Sequence, residues 1–175
     1  MPATDAAIVV MGVSGSGKST LGERLGAALG VPFRDADEFH PAANIARMTS
    51  GVALEDADRW PWLDAIGAAI RATQGGVVIA CSALRRVYRD RIRAAAGRPV
   101  TFVFLDGSRP VLAARLGGRK GHFMPPSLLD SQLATLEPPT ADEHAIRVSI
   151  DLPVAAELDS VLARLRDALA GPPLP

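Results

Sequence analysis

A glycine-rich segment between an apolar run and an amphipathic stretch constrains this chain more than any other part of its sequence. The segment reads MGVSGSGKST over residues 11–20 and directly follows the apolar residues 6–10. Its glycines, serines and lysine cannot fill a core. The residues after it carry leucine at positions 21, 25 and 29, which is the period of a helix. The pattern therefore predicts a buried strand, a tightly curved turn and a helix, in that order.

The spacing within that turn matches G-x-x-x-x-G-K-[ST], the phosphate-binding P-loop. Glycine lets the backbone adopt left-handed angles, so that successive N–H groups converge on an anion, and the start of the helix adds further N–H groups. A flexible serine-glycine linker is the alternative, but a linker would not lie between a strand and a helix. We predict ATP or GTP bound with Mg²⁺, Lys18 on the β- and γ-phosphates and the Ser19 hydroxyl on the metal. The predicted nucleotide site comprises Gly12, Val13, Ser14, Gly15, Ser16, Gly17, Lys18, Ser19 and Thr20.

Bulk composition narrows the class of protein. The chain has 175 residues, 48% of them hydrophobic, which favours one folded domain over a disordered chain. Nineteen basic and nineteen acidic residues cancel, so we expect no nucleic-acid partner. No apolar run approaches the ~20 residues of a membrane span, and the apolar N-terminal stretch is too short for a signal peptide. The single cysteine, Cys81, fits a reducing compartment, and we expect a cytoplasmic protein.

Short apolar runs alternate with amphipathic stretches, which is typical of βα units and a parallel sheet. The predicted strands cover residues 6–11, 32–35, 77–81, 100–105 and 145–150. The predicted helices cover residues 19–29, 41–48, 56–73, 84–95, 109–116, 126–136 and 154–170. The fold class is therefore α/β, with a five-stranded parallel sheet flanked by helices in a single domain and an unstructured tail at 171–175. Ligands of such sheets bind at the carboxyl ends of the strands.

Two carboxylates, Asp35 and Asp37, end the second predicted strand. Residues i and i+2 of an extended chain face the same way, so we expect both in the site. We predict that Asp35 supports Mg²⁺, which prefers few carboxylates and several waters. Asp37 is predicted to accept a hydrogen bond from the substrate hydroxyl and to take its proton. The alternative is that one of them only caps the following turn.

Several basic side chains are candidates for binding an anionic substrate. His40 fits a hydrogen bond to the substrate, and equally a turn residue before a proline. Arg47 fits a contact with an anionic group of the substrate, and equally a solvated helix face. Arg85 lies in the first turn of the helix after the third strand, at the carboxyl end of that strand, and we expect it to be well placed to meet a ligand. Arg89 and Arg93 continue the same helix face, and we predict that they are solvated.

The segment around residues 117–126 has the composition of a lid. Paired glycines interrupt a helix, paired prolines end the segment, and three possible donors lie between them: Arg119, Lys120 and His122. A closing basic segment would stabilise charge on a transferring phosphoryl group and expel water. Arg115 and Arg119 are predicted nucleotide contacts, and Arg119 also a catalytic cation. A solvated basic loop is the alternative.

Five stretches, read in order, resemble the gluconate kinases, which are small P-loop gluconokinases. They are MGVSGSGKST, DADEFHPAANIARMTSGVALEDADRWPWL, CSALRRVYRDRIR, RKGHF and SQLATLEPP, and the resemblance runs from about residue 8 to residue 151. It implies a nucleoside-monophosphate-kinase-like fold, ATP-dependent phosphorylation of D-gluconate at its 6-hydroxyl, and a homodimer. The substrate-binding residues implied by it are Asp37, His40, Arg47, Arg85, His122 and Gln132, with the lid at 119–123.

Two other hypotheses remain at this stage. One is a related kinase with a different acceptor, such as shikimate or a nucleoside monophosphate. The other is a nucleotide-binding switch with negligible turnover, although a switch needs neither the acidic pair nor the basic lid. The acceptor that stimulates ADP formation would distinguish these hypotheses.

Overall fold

A five-stranded sheet forms the centre of the computed structural model, which describes residues 5–118 and 126–170. All neighbouring strands pair in parallel, as the sequence predicts, and the structure gives their order as β2-β3-β1-β4-β5. The strands are β1 (Ala7–Met11), β2 (Phe33–Asp35), β3 (Val77–Ala80), β4 (Val100–Asp106) and β5 (Ile146–Ser149). The predicted lid donors at 119–122 and the predicted tail at 171–175 lie outside the described residues.

Each of the predicted helices is present, with small shifts at its ends. The helices are α1 (Lys18–Leu29), α2 (Ala42–Thr49), α3 (Asp56–Ala72), α4 (Arg86–Ala96), α5 (Arg109–Gly117), α6 (Pro126–Thr135) and α7 (Val154–Ala170). Two 3₁₀ turns, Ala36–Phe39 and Ala141–Glu143, are additional to the prediction. Within the described part of the chain, none of the helices is both long enough and apolar enough to cross a membrane.

The sheet is buried on both faces, which explains why its strands are continuous apolar runs. Side chains alternate between the faces of a strand. Along β1, Val9 and Met11 join the core that includes α3 and α4, while Ile8 and Val10 join the core that includes α1 and α7. Helices therefore cover both faces, and the carboxyl edge of the sheet is left for the loops that follow β1, β2 and β3.

A buried ion pair corrects the prediction that Arg89 and Arg93 are solvated. The Arg89 side chain is fully buried, and its Nε and Nη2 donate to the two carboxylate oxygens of Glu143 at 2.7 and 2.8 Å. Arg93 Nη1 lies 3.2 Å from the same carboxylate. Helical spacing placed both arginines on one face, but their acidic partner lies about fifty residues further along the chain, where no local pattern could reveal it.

Candidate active site

The loop after β1 has the backbone geometry that its glycines predict. Gly17 adopts a left-handed conformation, with φ of 92°, immediately before α1. Gly12 also has positive φ, and a Cβ there would lie 2.7 Å from Ser16 Oγ and 3.1 Å from the carbonyl oxygen of Leu105. A larger residue at either position would strain the loop. The tight curvature that the P-loop motif requires is therefore present immediately before α1.

Two side chains hold this loop in shape. Lys18 Nζ donates to the carbonyl oxygen of Val13 at 3.1 Å, so the lysine lies back across its own loop. Gln132 of α6 accepts from the Ser14 backbone N–H at 2.7 Å and donates to Ser14 Oγ at 3.1 Å. The resemblance assigned Gln132 to the substrate; in this structure it contacts the P-loop, at a backbone N–H that can also serve an anion.

The acidic pair after β2 does not continue as extended chain. Asp35 ends the strand and caps the 3₁₀ turn, because its Oδ1 accepts from the Asp37 backbone N–H at 2.9 Å. Asp37 lies within that turn, so the expectation that both carboxylates extend from one strand is wrong. Asp35 Oδ2 accepts from Ser19 Oγ at 3.4 Å. Asp35 therefore caps the turn, which was the alternative to a metal role in the sequence, and it also links the turn to the P-loop.

His40 ends the acidic turn, and its surroundings favour the neutral form of its ring. Its ring stacks on the indole of Trp62, with centroids 4.3 Å apart and planes 11° apart. Asn44 Nδ2 donates to His40 Nδ1 at 3.3 Å and to the Asp58 carbonyl at 2.8 Å, which leaves the histidine proton on Nε2. Burial lowers the pKa of His40 below 6.5, and the charge of Arg59 adds to this, although Asp37 opposes it. The ring therefore presents an Nε2–H donor.

Arg85 lies just before α4, as its cap residue, and not in its first turn as predicted. Its Nη1 donates to Asp56 Oδ2 at 2.8 Å, and its Nε lies 3.5 Å from Glu137 Oε1. The Tyr88 hydroxyl donates to the other oxygen of Asp56, and this hydrogen bond is the main reason that the pKa of Asp56 is lowered. Sequence analysis singled out neither Asp56 nor Tyr88, although both lie in stretches that resemble the gluconate kinases, because a contact across 32 positions leaves no local signal.

Arg47 and Arg115, two further predicted site residues, have different partners in the structure. Arg47 Nε lies 3.5 Å from Asp58 Oδ2, which ties the end of α2 to the start of α3. Arg115, on α5, donates from Nη1 to the Ser16 carbonyl at 3.5 Å. Its Nη2 lies 3.9 Å from Glu157, a buried carboxylate whose pKa is raised by burial. Arg115 thus lies against the P-loop, where its predicted nucleotide contact requires it. The predicted lid residues Arg119, Lys120 and His122 fall outside the described residues.

Comparison with known proteins identifies the family. The model of a family described as AAA domain matches residues 8–139. A gluconokinase from Gluconobacter oxydans is 50% identical over 146 residues, covering 81% of each chain. The thermosensitive gluconokinase of Escherichia coli K12 is 44% identical and covers 82% of this chain and 78% of its own. The crystal structure of a gluconokinase from Sinorhizobium meliloti superposes with a TM-score of 0.86 at 47% identity, covering 96% of this chain and 97% of its own. The family-model match spans the P-loop, the acidic turn and Arg85. With these identities over most of its length, the chain belongs to the gluconokinase family of P-loop kinases.

Proposed function

We propose that this protein transfers the γ-phosphoryl group of ATP to the 6-hydroxyl of D-gluconate, giving 6-phospho-D-gluconate and ADP. Family membership supports the reaction, and one structural observation carries its assignment to this site. The hydrogen bond from Ser19 Oγ to Asp35 joins the P-loop to the turn that bears Asp37. This link between the P-loop and a turn with a further carboxylate supports a kinase with a hydroxyl acceptor.

The nucleotide is assigned to the P-loop, residues 12–20. Backbone N–H groups there and at the start of α1 suit phosphate oxygens. Lys18 would exchange its bond to the Val13 carbonyl for the β- and γ-phosphates, and Arg115 would contribute a second cation beside Ser16. Arg119 is proposed as the cation that meets the transferring group as charge develops on its oxygens.

A divalent metal fits the pair formed by Ser19 and Asp35. A hydroxyl and one carboxylate oxygen suit Mg²⁺, which retains several waters and needs few protein ligands. Across residues 5–118 and 126–170, no group of three or more His, Cys, Asp or Glu side chains forms a dedicated metal cage. Bound there with ATP, Mg²⁺ would neutralise phosphate charge.

The acceptor is assigned to the acidic turn and the cations around it. Asp37 would accept a hydrogen bond from the 6-hydroxyl and orient it for in-line attack. The oxygen forms a bond to the γ-phosphorus, the bond from that phosphorus to the β,γ-bridging oxygen breaks, and the hydroxyl proton passes to Asp37. His40 would donate from Nε2 to another hydroxyl.

Gluconate also carries a carboxylate, which we assign to arginine. Arg85 already contacts Asp56 and Glu137, but a guanidinium has five N–H donors, so it can also donate hydrogen bonds to a further carboxylate. Arg47, His122 and Gln132 are proposed as further substrate contacts, Gln132 after release from Ser14. We propose a cytoplasmic location, where ATP is available, and a homodimer, which light scattering would detect as twice the chain mass.

An acceptor panel tests the proposed function. Purified protein is incubated with ATP and Mg²⁺ and with gluconate, shikimate or a nucleoside monophosphate, and ADP is measured. We expect gluconate alone to raise ADP formation well above the rate without acceptor. A response to another acceptor and not to gluconate would overturn the substrate assignment. Binding of ATP without any acceptor-dependent ADP would favour a nucleotide-binding switch.

A further inference from the structure

Trp62 makes two contacts at the edge of the candidate site although it belongs to the core. It lies on α3 and is only 7% exposed. Its indole N–H donates to the carbonyl oxygen of Ala36 at 2.8 Å, and its ring stacks on His40 at 4.3 Å. Ala36 immediately precedes Asp37 and His40 follows it by three residues. One side chain therefore contacts both ends of the turn that carries Asp37.

Two hydrogen bonds within this turn hold it differently. Asp35 Oδ1 accepts from the Asp37 N–H, and Glu38 Oε1 accepts from the Asp35 N–H at 3.1 Å, and both bonds are exposed. These bonds shape the turn from within. The bond from Trp62 to Ala36 is buried and spans 26 residues, so it attaches the turn to the helical layer.

The position of the indole is itself set by the core. Trp62 belongs to the buried cluster that contains Leu63, Ile66 and Met11, and the last of these ends the strand before the P-loop. Close-packed interiors restrict side chains to defined positions. The indole can thus relate the acidic turn to the P-loop through packed atoms, in addition to the exposed bond between Ser19 and Asp35.

We propose that Trp62 is a positioning residue for the phosphoryl acceptor, fixing the Asp37 carboxylate and the His40 imidazole relative to the P-loop through its bond to Ala36 and its stacking on His40. The inference rests on the proposed function for the identity of the acceptor. It assigns Trp62 no contact with substrate. Displacement of a reacting group by about 1 Å can cost on the order of a hundredfold in rate, so a residue that acts only through others can still be important for turnover.

Two substitutions at Trp62 separate its contacts. Trp62→Phe keeps an aromatic ring against His40 but loses the N–H donor, and Trp62→Leu loses both. We expect kcat/KM for gluconate to fall about tenfold in the first variant and about a hundredfold in the second, with the dissociation constant of ATP unchanged. Trp60→Phe is the matched control, because Trp60 lies on the same helix and packs edge-on against Tyr88. We expect this control to retain the wild-type kinetic constants.

A second readout needs no turnover. The NMR titration of His40, assigned with a His40→Gln variant, reports whether the ring is still covered. Burial lowers the pKa of His40, so it should stay low in Trp62→Phe and rise in Trp62→Leu as the ring becomes exposed. If the wild-type protein does not phosphorylate gluconate, the proposed function fails. The titration still tests whether Trp62 covers the His40 ring, because it needs no substrate.

Three results would overturn the inference. The first is a folded Trp62→Phe variant with wild-type kcat and KM for gluconate. The second is a loss of ATP affinity that matches the loss of gluconate turnover, which would indicate a general structural role. The third is a His40 titration that is the same in Trp62→Leu as in the wild-type protein.

Discussion

Lys18 makes the clearest prediction that a single residue allows. In the structure its Nζ donates to the Val13 carbonyl, so the ammonium group lies against the same loop that would hold the phosphates. Lys18→Ala removes a cation that stabilises charge on the transferring group, and we expect kcat to fall by about a hundredfold to a thousandfold. A coupled assay for ADP measures this fall in kcat.

Asp37→Ala should also nearly abolish turnover in the same assay, because the acceptor hydroxyl loses its proton acceptor.

Folding separates a catalytic effect of these substitutions from a structural one. Neither Lys18 nor Asp37 belongs to either buried cluster, so thermal unfolding of both variants should remain cooperative, with midpoints near that of the wild-type protein. Near-normal turnover in either variant would remove that residue from the mechanism.

His40 predicts a dependence of stability on pH. Burial lowers the pKa of His40 in the folded protein below the ordinary 6.5, so the unfolded chain binds a proton more readily than the folded protein does. Above 6.5 both states are neutral and the effect is absent. As the pH falls below 6.5, the unfolded state gains from protonation, and the free energy of unfolding decreases. Urea unfolding of wild type and His40→Gln at about pH 8 and about pH 5.5 measures this. We expect the stability of wild type relative to the variant to decrease towards the lower pH, and an increase would contradict the assignment.

The residues of the site differ in how far the sequence alone could predict them. Gly12, Gly17, Lys18 and Ser19 belong to one continuous motif whose spacing specifies both the turn and the ligand, and the structure places them together. Gln132 and Trp62 reach the site from distant segments, through contacts that span 118 and 26 residues. A contact of this kind leaves no periodic or local signal, so a sequence can suggest the residue but not its partner.

At the scale of elements, the packing of α3 on α4 depends on a glycine in a helix interior. A Cβ at Gly67 would lie 2.4 Å from the Cβ of Ala95 and 2.9 Å from the backbone of Ala95 and Ala96. Alanine favours an isolated helix by up to about 1 kcal/mol over glycine. Here the added methyl meets backbone that cannot rotate away, so the packing cost is the larger effect.

We therefore expect Gly67→Ala to lower the free energy of unfolding by about 1–3 kcal/mol despite its better helix propensity. Urea unfolding monitored by circular dichroism measures the change. Gly117→Ala is the control: it also lies in a helix, and among the described residues no atom beyond its local backbone lies within 4 Å of the added Cβ. That variant should be neutral or slightly stabilised. A Gly67→Ala protein with the same free energy of unfolding as the wild type would show that α3 and α4 can move apart without cost.

Elements were more predictable than the contacts between them. The alternation of apolar runs with helical periods identified the strands and helices, because burial on both faces of a parallel sheet leaves a strong pattern. The turn Ala36–Phe39 entered the sequence analysis only as an alternative, because its capping box, formed by Asp35 and Glu38, gives the same acidic signal as a catalytic pair. Arg89 was assigned to solvent for a related reason: helical spacing gives its face but not the identity of the residue opposite.

For the whole molecule, the candidate site depends on segments that are far apart in sequence. Ser14 contacts Gln132 across 118 residues, and Arg115 contacts Ser16 across 99. A ligand that binds these segments in the folded state alone stabilises the entire fold by mass action. Global unfolding is therefore a measure of occupancy at the P-loop, and it does not depend on the identity of the acceptor.

Removing the metal tests the assignment of Ser19 and Asp35 at this scale. At an ATP concentration of about 100 times the dissociation constant, binding adds about 2.7 kcal/mol to stability. For a chain of this size that corresponds to a rise of roughly 5–11 °C in the unfolding midpoint. We expect this rise with Mg²⁺ and a smaller one when a chelator replaces it, because the metal neutralises phosphate repulsion and links the nucleotide to the serine hydroxyl. In Ser19→Ala the difference between the two conditions should shrink towards zero, since the hydroxyl ligand is gone. A Ser19→Ala protein that keeps the full difference would show that Mg²⁺ does not depend on this hydroxyl, and the metal would have to be assigned elsewhere.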